Sequence, residues 1–112
     1  MNKADVKEEY EHLKNLFKDL DEAKVSLIDE LLKQTAFLTV ELKGMNKIIS
    51  KEGPLQHSNK GNVRESQTYK TYLKSLGIYQ GIIKTLNSIA GKSVIDEDDE
   101  FDEFINKING GN

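Results

Sequence analysis

The stretch from Gly53 to Arg64 holds the chain's only proline and sits between two long segments with helical apolar spacing. Gly53 offers a left-handed stop and Pro54 removes the next backbone donor, so no helix can continue through this point. Ser58, Asn59, Lys60, Gly61 and Asn62 then form a turn-rich cluster. The segment therefore reads as a connector that reverses the chain between two helices. A short β-hairpin is one form it can take, with residues 55–57 facing residues 62–64 across Ser58 to Gly61.

The flanking segments set the fold class. Val6, Tyr10, Leu13, Phe17 and Leu20 alternate at spacings of four and three, which predicts an amphipathic helix from about Asp5 to Lys18. Asp19 or Asp21 then caps a second helix from about Glu22 to Lys51, its acids lying near the positive end of the helix dipole. The second stripe reads Val25, Ile28, Leu31 or Leu32, Thr35, Leu38, Leu42, Met45, and Ile48 or Ile49, with Gly44 marking a possible bend. A third helix opens at Glu65 and Ser66 and runs to Ala90, ending at Gly91. Its stripe is Tyr69, Tyr72 or Leu73, Leu76, Tyr79 or Gln80, Ile83, Leu86 and Ala90. Gly77 and Gly81 share a face of it, where small residues suit close local packing. The expected class is all-α: an N-terminal helix, a long antiparallel helix pair joined by an irregular or β-hairpin connector, and an acidic C-terminal tail. Residues 1–92 form the helical domain and residues 93–112 the tail, whose last residues, Gly110 to Asn112, are expected to fray.

With 112 residues, 37% hydrophobic and 31% charged, the core is modest and much helix surface is exposed, which favours burial against further copies of the chain. The charge falls in three blocks. Residues 1–42 carry net −4, residues 43–92 net +7 and residues 93–112 net −6. Separated blocks act locally because salt screens the sum. No apolar run reaches the ~18 residues that a membrane span requires, and the charged start from Lys3 to Glu11 does not resemble a signal peptide. The expectation is a cytoplasmic protein with no membrane partner.

Catalytic equipment is not visible. There is no cysteine, and His12 and His57 lie on different segments without metal-ligand spacing, so neither a metal nor a cofactor is expected. Gly91, Lys92 and Ser93 imitate the end of a phosphate-binding loop, but Leu86 stands where that loop needs glycine, and a helix cap accounts for Gly91. The serines lack a nucleophile-elbow setting, and the carboxylate runs look exposed, with nothing to tune their acidity. The chain reads as a non-enzyme.

Two surfaces carry binding chemistry instead. Lys43, Lys47 and Lys51 repeat at four residues near the end of the second helix, Lys70 and Lys74 do so at the start of the third, and Lys60 and Arg64 lie between them. Phosphate contact would make these seven cations a DNA-binding end. In the tail, Phe101, Phe104 and Ile105 alternate with acids and fit a short helix that docks into a groove, either on a partner or on the chain's own helices.

A long helix ending in Lys51, Glu52, Gly53 and Pro54, the turn from Ser58 to Asn62, and a third helix followed by the acidic, Phe-bearing residues 99–104 together resemble the short, helix-rich bacteriophage terminase small subunits of phages and prophages of Gram-positive bacteria. The similarity spans roughly residues 10–105. It implies a non-catalytic genome-packaging protein, acting in the bacterial host cytoplasm, that forms a ring-like homo-oligomer, binds viral double-stranded DNA and regulates a large subunit. By position, Leu31, Leu38, Leu42, Leu73, Leu76 and Ile83 would supply core and subunit contacts. Lys43, Lys47, Lys51, Lys60 and Arg64 would face DNA, and Phe101, Phe104 and Ile105 would engage the large subunit. The rival expectation is a helical phage or prophage adaptor that binds only protein.

Overall fold

The computed structural model describes residues 3–96 and 100–109. Along these run α1 (Lys3–Leu16), α2 (Glu22–Glu52), β1 (Leu55–His57), β2 (Val63–Glu65), α3 (Gln67–Ala90) and α4 (Glu100–Ile108). The described residues are mostly helical, as the apolar periodicity predicts, and the connector takes the β-hairpin form of its two expected alternatives, a small antiparallel sheet. It is elongated, 58 × 30 × 18 Å, with a radius of gyration of 16.4 Å against about 13 Å for a rounded domain of this length. The 31-residue α2, about 46 Å long, sets that dimension.

α1 begins at Lys3 and ends at Leu16, two residues earlier than expected at each end. The chain then tightens: the Phe17 amide donates to the Leu13 and Lys14 carbonyls and the Leu20 amide to that of Phe17. This turn carries Phe17 into the core beside Leu13. Of the two cap candidates Asp21 is used, its Oδ1 accepting from the Lys24 amide at 3.0 Å. α2 passes through Gly44 as continuous helix.

α2 and α3 pack antiparallel along the molecule's length. Buried on α2 are Ile28, Leu32, Thr35, Ala36, Thr39, Leu42 and Ile49; on α3 they are Tyr69, Tyr72, Ser75, Leu76, Tyr79, Ile83, Leu86 and Asn87. The paired choices in the stripes resolve to Leu32, Ile49, Tyr72 and Tyr79, while Ile48 turns outward. Leu73, at 38% exposure, lies outside the core of the single chain, because Tyr72 occupies the inward position of that turn. The buried hydroxyls of Thr35 and Thr39 are satisfied, since each donates to the carbonyl four residues earlier, at 2.7 and 2.8 Å. Gly77 and Gly81 do not serve close packing within the chain. Both are exposed, and a methyl group added at either would meet nothing within 4 Å.

The connector is a hairpin, with a register one residue from the expected one: Leu55 pairs with Glu65, Gln56 with Arg64 and His57 with Val63. Glu65 is therefore strand rather than helix, and Ser66 alone caps α3, its Oγ accepting from the Tyr69 amide at 3.0 Å. The turn explains the shift. The Ser58 amide donates to the Asn62 carbonyl and Gly61, at φ 82°, donates to that of Ser58, so Asn62 belongs to the turn. At the other end of the ribbon the Ser66 amide donates to the Pro54 carbonyl.

Gly91 ends α3 in the left-handed conformation, with Lys92 reaching back to the Asn87 carbonyl, which confirms the helix-cap reading. α4 then lies antiparallel along α3. Phe101 is 1% exposed, edge-on to Tyr72 and Tyr79, and Phe104 is edge-on to Tyr72 at 5.4 Å between ring centroids. The tail's apolar side is thus seated on its own helix. Gln80 Nε2 donates to Asp102 Oδ1 at 2.7 Å along the edge of this contact. The middle of the expected acidic run (97–99) and the expected frayed end at 110–112 lie outside the described residues.

Candidate functional site at the ribbon end

Chain reversal at Pro54 gathers cations that lie far apart in sequence. Lys43, Lys47 and Lys51 lie within about 14 Å of the end of α2, and Lys70 and Lys74 within about 11 Å of the start of α3, at 1.5 Å per residue. Lys60 is in the ribbon turn and Arg64 on β2. All seven side chains are exposed.

The seven do not share one setting. Lys43 and Lys47 border an open groove of about 760 Å³ between α2 and α1, whose α1 wall is formed by Asp5, Glu8, Glu9 and His12. Its α2 side also includes Val40, Met45 and Ile48. The acidic wall offsets part of the positive potential of these two lysines. The α1 wall is not legible in the sequence, because Asp5 and Lys43 are nearly forty residues apart and only the turn at Phe17 brings their helices together.

Lys51, Lys60, Arg64, Lys70 and Lys74 lie at or beside the ribbon. All six strand residues are exposed. A separate hollow of about 480 Å³ on the ribbon is lined by Gln56, His57, Ser58, Asn62 and Arg64. Ser58 Oγ is committed to the turn, accepting from the Asn62 amide at 3.1 Å. The side chains of Gln56, His57 and Arg64 take part in no hydrogen bond or ion pair among the described residues. They are available to a ligand.

Of the residues expected to form core and subunit contacts, Leu42, Leu76 and Ile83 are buried within the chain and Leu31 and Leu38 are half-buried. Leu73, the sixth, is exposed, and so are large apolar groups outside that set, among them Leu27, Phe37 and Ile78. Phe37 and Ile78, 47% and 51% exposed, border a shallow hollow of about 360 Å³ with Leu38, Ile82, Glu30 and Lys33.

At the far end, Tyr10 on α1 donates its hydroxyl to Asp29 on α2, Lys33 Nζ pairs with the same carboxylate at 3.4 Å, and Lys14 Nζ sits 5.4 Å from the Tyr10 ring centroid. The hydrogen bond to Asp29 pushes the Tyr10 hydroxyl up to about 12 and holds the Asp29 carboxyl below its ordinary value. This network fastens α1 to α2 well away from the ribbon. Among the described residues, no group of three or more acidic or histidine side chains is placed to hold a metal ion, and no helix is long and apolar enough to cross a membrane.

No protein-family model, curated protein or solved structure matches the chain.

Proposed function

We propose that this is a non-catalytic DNA-packaging protein of the terminase small-subunit kind, which self-assembles, holds double-stranded DNA at its ribbon end and recruits or regulates a large terminase subunit. One observation carries the reading: an exposed two-stranded ribbon at the tip of a helical pair, with five exposed cations, Lys51, Lys60, Arg64, Lys70 and Lys74, on it and on the adjoining helix turns. Cations clustered at one end of a rod suit a polyanion, because each phosphate neutralised releases condensed counterions. Self-assembly is supported by Phe37 and Ile78, apolar groups left uncovered on the flank of the helix pair. With Phe101 inside, α4 offers a large subunit its outer side, including exposed Glu103, or must be displaced to offer its rings.

Fluorescence anisotropy of a labelled duplex over a salt series tests the DNA reading. The expected result is binding whose logarithm falls linearly with the logarithm of salt concentration. Absence of binding at low salt supports the second reading, a helical adaptor that binds only protein. The acidic α1 wall facing Lys43 and Lys47 favours that reading.

A further inference from the structure

The register of the hairpin sorts its side chains. Residues directly opposite in an antiparallel pair point to the same side, and successive residues alternate. Gln56 and Arg64 therefore share one face, while the Leu55–Glu65 and His57–Val63 pairs occupy the other. Gln56 and Arg64 border the ribbon hollow with Ser58 and Asn62, to which His57 contributes from the opposite face, and Gln56 also borders a hollow against the ends of α2 and α3.

Gln and Arg have a definite chemistry toward duplex DNA. A guanidinium donates two parallel hydrogen bonds to guanine O6 and N7, and a carboxamide both donates and accepts at adenine N7 and N6. Two strands about 4.8 Å apart and about 10 Å long make a ribbon that fits a major groove some 12 Å wide and 8.5 Å deep. The surrounding charge matches: Lys60 is in the turn, and Lys51 and Lys70 flank the ribbon's base, where phosphates on either side of the groove would lie.

We infer that the β1–β2 ribbon is a base-reading element that enters the DNA major groove with its Gln56–Arg64 face, while Lys51, Lys60 and Lys70 hold the flanking phosphates. The inference rests on the proposed function, in which duplex DNA is the ligand of this end. It adds that binding is sequence-selective and that selectivity resides in two exposed side chains rather than in a helix. Phosphate contacts position the protein without discriminating sequence; contacts to base edges discriminate.

The test is selection from a random-sequence duplex pool with the full chain, followed by anisotropy on the enriched duplex and a scrambled one at two salt concentrations. The wild type should prefer the enriched duplex by roughly 10- to 100-fold. The double variant Gln56→Ala, Arg64→Lys keeps the charge; it should bind both duplexes nearly equally with an unchanged salt slope. Lys51→Ala with Lys70→Ala should weaken both duplexes alike and reduce the salt slope by about 2. Circular dichroism confirms that each variant is folded. An unchanged preference in the double variant, or no preference in the wild type, overturns the ribbon as reader while DNA binding stands. No duplex binding by the wild type at low salt overturns both.

Discussion

Asn87 and Ile95 exchange two hydrogen bonds: Asn87 Nδ2 donates to the Ile95 carbonyl at 2.9 Å, and the Ile95 amide donates to Asn87 Oδ1 at 3.1 Å. The Val94 amide donates to the same oxygen at 2.9 Å. A single carboxamide, buried near the end of α3, thus braces the turn that precedes α4. Replacement by alanine leaves two backbone amides and one carbonyl without these partners. Asn87→Ala should therefore cost about 1–3 kcal/mol, read in urea unfolding, and raise hydrogen exchange in residues 93–96 and in α4 more than in α1.

Phe101 should matter more for stability than for binding. Its ring is enclosed by Tyr72 and Tyr79, so Phe101→Ala should destabilise by about 3–5 kcal/mol and loosen α4. Glu103→Lys, on the exposed side of α4, should leave stability within about 0.5 kcal/mol. If a large subunit grips the outer side, pull-down should fall for Glu103→Lys at full stability. Equal capture by that variant removes the outer side from the contact.

The bond between Tyr10 and Asp29 makes stability pH-dependent at both extremes. Tyr10 holds its proton more tightly when folded, so its contribution is complete below pH 10 and is lost as pH rises toward about 12. Asp29 is shifted downward, so its contribution is present above the ordinary carboxylate range and is lost as pH falls through the lowered value. Thermal melts followed by circular dichroism should show both losses in the wild type. Tyr10→Phe should flatten the alkaline limb and reduce the acid one.

Gly77 and Gly81 are helical, exposed and uncrowded. Alanine at each should stabilise the chain by up to about 1 kcal/mol, measured as an increased urea midpoint. A decrease would show that another surface approaches these glycines in solution.

Self-assembly should depend on the uncovered pair rather than on the buried stripe. Phe37→Glu with Ile78→Glu should reduce the mass found by light scattering to that of one chain of 12.7 kDa while preserving helicity. An unchanged mass excludes this flank as the subunit contact.

Much of the fold was legible in the residues. Pro54 had to stop α2, Gly91 had to end α3, and the spacing of Val6, Tyr10, Leu13 and Phe17 had to bury one side of α1. The hairpin register differs by one residue from the expected pairing because the Ser58 hydroxyl and Gly61 draw Asn62 into the turn, a choice made by competing local hydrogen bonds. The candidate site was legible as a set of cations, but its division was not. Lys43 and Lys47 differ from Lys51 and Lys60 only because α1 folds back beside the former.

By itself the sequence determined that three long helices form, that α2 stops before Pro54 and α3 at Gly91, and which side of each is apolar, because backbone sterics, capping and periodicity act within a few residues. Tertiary structure alone decided which of Tyr72 or Leu73 turns inward, that the tail's Phe101 spends its apolar surface on α3, and that Gln56 and Arg64 share a ribbon face. Those outcomes depend on the rotation of one element against another, which is set by packing between residues distant in sequence.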